Sequence, residues 1–92
     1  MTYNLYIGSN NTTHKVELQK IKNVLNDTFD GYTISAINTG VWQGTEEESV
    51  TVTIICEEVQ MYAVVRKLNT ILDQDAIAFQ KVAELNFEEG RQ

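Results

Sequence analysis

The stretch Ser49-Val50-Thr51-Val52-Thr53-Ile54-Ile55-Cys56 alternates so regularly that it fixes a strand with two unlike faces. Val50, Val52, Ile54 and Cys56 form an apolar side, and Thr51, Thr53 and Ile55 a semi-polar one. The apolar side has to be covered, and the sequence supplies two covers. Val16, Leu18, Ile21, Val24, Leu25 and Phe29 recur at three- and four-residue spacing. They predict an amphipathic helix over about 13–29 with Thr12 or Thr13 as cap. Met61, Val64, Val65, Leu68, Ile71 and Leu72 form the stripe of a second helix, which begins after Glu57-Glu58 and is stopped by Asp73-Gln74-Asp75.

The remaining segments read as strands. Thr2 to Ile7 places Tyr3, Leu5 and Ile7 on one face and Asn4 and Tyr6 on the other, and Gly8-Ser9-Asn10-Asn11 ends it. After the turn pair Asp30-Gly31, the residues Tyr32, Ile34 and Ala36 alternate with Thr33, Ser35 and Ile37. Asn38-Thr39-Gly40 interrupts that alternation, Val41-Trp42 resumes it, and Gln43 to Glu47 reads as the polar connection of a long hairpin. In the tail from Ala76 to Phe87, the residues Phe79, Val82, Leu85 and Phe87 suit a bulged last strand, with a short helical turn as the competing reading.

The order β-α-β-β-α-β is the split βαβ, or ferredoxin-like, α+β arrangement, an antiparallel sheet with two helices on one face. At 92 residues the chain fits a single domain, 1–92, with a small core for which self-association is a common remedy. Two features favour a homo-oligomer. Thr51, Thr53 and Ile55, beside Thr33, Ser35 and Ile37, make a face suited to another subunit or a ligand, and the absence of proline leaves strand edges without that protection.

Charge and rare residues narrow the function. Thirteen acidic against seven basic residues give a net charge of -6, which disfavours a surface for long nucleic acid. A small anionic ligand needs only one or two placed cations. One cysteine and one histidine exclude an internal disulfide and the usual zinc sets, so neither a metal nor a cofactor is implied. Cys56 reads as a buried thiol. With no basic leader and no run of about 18 apolar residues, the reading is cytoplasmic, with no membrane partner.

Catalytic signals are thin: G-x-S-x-G, P-loop and G-x-G-x-x-G patterns are all missing, and an enzyme is not expected. His14 reads as a surface or capping residue at a helix entrance, with proton donation as the alternative. Glu46-Glu47-Glu48 reads as a solvated hairpin more readily than as a cation cage, because neighbours on a strand point to opposite faces. Trp42, the sole tryptophan, lies between Gly40 and Gly44. It is either packed over a bulge or a stacking surface for a planar base, with Thr39 and Gln43 offering hydrogen bonds. Arg66 is either solvated or, at a subunit boundary, a fork for phosphate, with Asn69 one turn along.

Three stretches carry a resemblance. They are Leu5-Tyr6-Ile7-Gly8-Ser9-Asn10-Asn11, the pattern Gly31-Tyr32-Thr33-Ile34 with Thr39-Gly40-Val41-Trp42-Gln43-Gly44 and Glu48-Ser49, and the late Phe79-Gln80-Lys81-Val82-Ala83. Through them the chain resembles the Thoeris anti-defence sponges, phage proteins that sequester cyclic ADP-ribose-type immune signals. The middle pattern is also similar to a small bacterial family of unknown function. The first resemblance implies non-hydrolytic binding of a cyclic nucleotide between subunits of a homo-oligomer in a host cytoplasm. It implies an aromatic residue and arginines at the ligand, which match Trp42 and Arg66. The candidate binding set is Thr39, Trp42, Gln43, Arg66, Asn69 and Gln80. With Arg91 close to the end of the sequence, arginines for phosphate are scarce. Two other readings stand beside this one: an acidic inhibitor that mimics nucleic acid through Glu46 to Glu48, Glu57, Glu58, Glu88 and Glu89, and a small dimeric enzyme using His14 or a carboxylate.

Overall fold

The computed structural model describes residues 1–72 and 77–82, with Trp42 described through its backbone alone. The elements in chain order are β1 (Thr2–Gly8), α1 (Leu18–Thr28), β2 (Thr33–Ile34), β3 (Asn38–Trp42), β4 (Thr45–Ile55), α2 (Glu58–Ile71) and β5 (Ala78–Lys81). All pairings are antiparallel. The sheet runs β2-β4-β1-β5, and β3 joins β4 further along from β2. Because β2 and β3 share one neighbour, they act as one broken strand, and the ferredoxin-like order expected from the sequence is the observed one.

The alternation places the core. Tyr3, Leu5 and Ile7 from β1, Val50, Val52 and Ile54 from β4, and Cys56 just beyond it are buried, and they meet Ile21, Val24 and Leu25 of α1 and Met61, Val64, Val65 and Leu68 of α2. Fully burying one such aliphatic side chain is worth about 1.5–3 kcal/mol, so this layer carries most of the folding drive. Cys56 is a buried free thiol, and burial pushes its pKa above the ordinary 9.0. Ile71, expected in the stripe, is instead 40% exposed, while Leu72 is buried at the end of the same turn.

Four boundaries differ from the sequence reading. The first helix begins at Leu18 rather than near residue 13, because Asn10 organises the preceding segment. Its Oδ1 accepts from the N–H groups of Thr12 (2.7 Å) and Thr13 (3.0 Å), and its Nδ2 donates to Glu17 Oε1 at 2.9 Å. His14, with φ 61, turns the chain out of helical conformation there. The break in the second strand falls at residues 35–37 rather than at Asn38-Thr39-Gly40, which are regular strand. Ile34 opposes Val52 and Asn38 opposes Ser49, so three residues face two and form a bulge. The hairpin connection is Gln43-Gly44 alone. Positive φ at both positions (51 and 79) closes a two-residue turn of type I′ sign, and Thr45 to Glu48 are paired strand. Cys56, read as the last residue of its strand, lies one past the end of β4, where its N–H donates to the Met1 carbonyl at 2.8 Å.

The second helix begins as expected. Gln60 Oε1 accepts from the Glu57 N–H at 3.0 Å, satisfying a donor at the helix start. The expected stop at Asp73-Gln74-Asp75, and the continuation of the last strand through Ala83, Leu85 and Phe87, lie outside the described residues.

Candidate functional site

The sheet face away from the helices is the first distinctive surface. In register across β5, β1, β4 and β2 it presents Ala78 and Gln80, Asn4 and Tyr6, Ser49, Thr51, Thr53 and Ile55, and Thr33. Not one of these carries a charge, in a chain whose net charge is -6. Its polar groups are largely satisfied within the face: Thr53 Oγ1 donates to Asn4 Oδ1 at 2.7 Å and Tyr6 Oη donates to Gln80 Oε1 at 3.1 Å. Tyr6 (42%) and Ile55 (55%) remain exposed, and so does Ile37 (47%) at the bulge.

The second surface is the β3–β4 hairpin. It extends beyond the length of sheet that the helices cover, in a molecule 51 Å long and 25 by 20 Å across. A shallow depression of about 250 Å³ lies between the hairpin and the loop before α1, lined by His14, Thr39, Glu46, Glu47 and Glu48. Two contacts join the loop to the hairpin: the Val16 N–H donates to Glu48 Oε1 at 3.0 Å, and His14 Nδ1 lies 3.9 Å from Glu47 Oε1. The second is an ion pair only when the exposed imidazole is protonated. Among the described residues no group of three His, Cys, Asp or Glu side chains could hold a metal ion.

The six candidate residues fall in three places. Thr39 and Gln43 share the hairpin with the Trp42 backbone, Thr39 at the depression and Gln43 exposed in the turn; the indole lies outside what is described. Arg66 is exposed on α2, and Asn69, one turn on, is half-buried with its Oδ1 buried and unpartnered. Gln80 belongs to the charge-free face. The helix α2 starts three residues after β4 and runs back along it. At 1.5 Å per helical and 3.4 Å per strand residue, Arg66 lies roughly 20 Å short of the hairpin turn. One copy therefore does not bring Arg66 and Gln43 to a common ligand. The sequence reading singled out Thr51, Thr53 and Ile55 beside Thr33, Ser35 and Ile37 as this face but did not join Asn4 and Tyr6 to it, although their alternate positions on the first strand were there to be read.

The sequence matches no family model and no curated protein. In structure the chain is similar to the divalent cation tolerance protein CutA1 from Thermus thermophilus, with a TM-score of 0.59 at 14% identity, over 94% of this chain and 88% of that one. It is similar to a DUF3240 family protein from Shewanella baltica, with a TM-score of 0.65 at 12% identity, over 96% and 97%. A third likeness is to CutA from Xylella fastidiosa, with a TM-score of 0.56 at 17% identity, over 92% and 86%. These likenesses accord with the resemblance to a small bacterial family and lend none to the sponges. No described helix is long and apolar enough to cross a membrane. At such identities the likeness is one of fold, and the chain has the ferredoxin-like α+β fold.

Proposed function

We propose that this chain is a non-catalytic binding module that works as a homo-oligomer, closing its charge-free sheet face against further copies and holding a small ligand at the subunit boundary. The observation that carries the reading is that face. Elsewhere like charges on two copies of an acidic chain oppose each other, but here two copies meet without that cost, and the exposed Tyr6, Ile37 and Ile55 supply apolar area to bury. A boundary site that joins Arg66 of one copy to Thr39, Trp42 and Gln43 of another rests on the sequence resemblance, since one copy keeps Arg66 roughly 20 Å from the hairpin turn. The class of ligand rests on the sequence resemblance alone: a cyclic nucleotide of the cyclic ADP-ribose type, sequestered in a host cytoplasm. His14, exposed beside an open depression, lacks the enclosed partner that acid–base chemistry would use.

Sedimentation of the parent and of Ile55→Glu tests the assembly. The parent should sediment as an oligomer and Ile55→Glu as a folded monomer; a monomeric parent at tens of micromolar would sink the reading. Calorimetry with cyclic ADP-ribose isomers, cyclic oligonucleotides and divalent cations tests the ligand. A cyclic nucleotide should bind, and Arg66→Ala should weaken it roughly 30-fold or more, the usual result of removing a charge-assisted contact. Binding confined to a cation, or no binding by any of the panel, would overturn the ligand class.

A further inference from the structure

A second interaction surface lies at the edge of β3. Among the described residues, β4 is the one strand that pairs with it. In a two-residue hairpin the pair flanking the turn, here Trp42 and Thr45, is hydrogen-bonded, and bonded and non-bonded pairs alternate from there. Asn38, Gly40 and Trp42 therefore bond to β4, while Thr39 and Val41 turn their N–H and C=O groups to the open edge. The usual protections of such an edge are missing: Asn38-Thr39-Gly40-Val41-Trp42 holds no proline and no charged residue, its pairing with β4 is regular, and Val41 is 69% exposed.

One strand in from this edge stand three consecutive carboxylates. Thr39 faces Glu48, Gly40 faces Glu47 and Val41 faces Glu46. A strand added at the edge would lie about 10 Å from β4, twice the spacing of neighbouring strands. A lysine or arginine on its helix side spans that distance across Thr39 or Val41, and its cation enters the depression lined by His14, Thr39 and the three glutamates.

We propose that the β3 edge takes up an extended segment of a partner protein with basic residues at alternate positions, by strand addition. Main-chain hydrogen bonds from Thr39 and Val41 supply attachment, and Glu46 and Glu48, on the helix side of β4, select the charge. The β3 strand of a second copy is the poorer occupant, since it brings no cation to the carboxylates.

The test uses a fluorescent Lys-Val-Lys-Val-Lys-Val-Lys peptide and the full chain. The peptide should bind, at least tenfold tighter than its Glu-for-Lys counterpart, with affinity falling steeply as salt rises. Val41→Pro removes one outward N–H and leaves the β3–β4 hydrogen bonds in place, so binding should drop at least tenfold. A peptide N-methylated at alternate residues makes the same point without altering the protein and should also fail. Glu46→Gln with Glu48→Gln should bring the two peptides to similar affinity, with the amide oxygen of residue 48 still accepting from Val16. Equal affinity for lysine and glutamate peptides, or undiminished binding of the N-methylated one, would overturn the proposal. A fall in the oligomeric mass of Val41→Pro would assign the edge to a second copy and overturn it as well.

Discussion

Ser35 and Thr51 are joined by two hydrogen bonds of 2.9 Å, one from the Ser35 N–H to the Thr51 carbonyl and one from the Thr51 N–H to Ser35 Oγ. The second replaces the main-chain acceptor that the bulge takes out of register. A side chain thus closes the gap between β2 and β3 and keeps them on one edge of β4. Ser35→Ala should leave the half-buried Thr51 N–H without its acceptor and cost about 1–3 kcal/mol. Ser35→Thr, which keeps the oxygen, should cost less than half as much. The two midpoints in urea decide this, and equal losses would mean that the hydroxyl is not what holds the bulge.

That bulge also shows where the sequence stopped being readable. Alternation placed Tyr3, Leu5 and Ile7, and Val50, Val52 and Ile54, on the buried face, because burial on one side is what a period of two encodes. It could not place the break at residues 35–37, since Ser35 hides it by bonding as a backbone carbonyl would. Asn10 misled in the same way: its side chain satisfies N–H groups that a helix would otherwise take up, and the helix starts later than the apolar spacing implies. The hairpin turn was missed because Gln43, not the usual Asn or Asp, takes the left-handed position before Gly44. Among the site residues, nearness along the chain put Thr39 and Gln43 together. Arg66 lies roughly 20 Å short of the hairpin turn within one copy, a separation that no spacing along the chain encodes.

The loop before α1 has a charge partner that makes its order depend on pH. The Lys20 ammonium, 2.6 Å away, and then the Asn10 amide hold the Glu17 carboxyl below its ordinary 4.5. A carboxyl depressed in the folded state stabilises it above the ordinary value, and that contribution is lost as pH falls below 4.5 toward the folded pKa. Asn10→Ala removes the second of the two causes along with the acceptor for Thr12 and Thr13. The Glu17 titration, followed by NMR, should then move up toward 4.5, and the share of the acid-induced stability loss that Glu17 carries should shrink. An unchanged Glu17 titration would show that Lys20 alone sets it.

Asn69 sits in the last turns of α2 with its Oδ1 buried and unpartnered, one turn beyond the exposed Arg66. A buried acceptor left unmade costs about 1–3 kcal/mol, so this position works against stability. Leucine has nearly the shape of asparagine and no polar atom, and it is a better helix former. Asn69→Leu should therefore raise the stability of the ligand-free protein by about 1 kcal/mol, read from the shift of its urea midpoint at unchanged slope. If the Asn69 carbonyl serves a ligand beside Arg66, the same change should weaken that ligand's binding by roughly tenfold, the equivalent of about 1.4 kcal/mol. Opposite signs in stability and affinity mark a residue kept for binding. A variant that is more stable and binds as tightly as the parent would remove Asn69 from the site and leave Arg66 as the one candidate contact on α2.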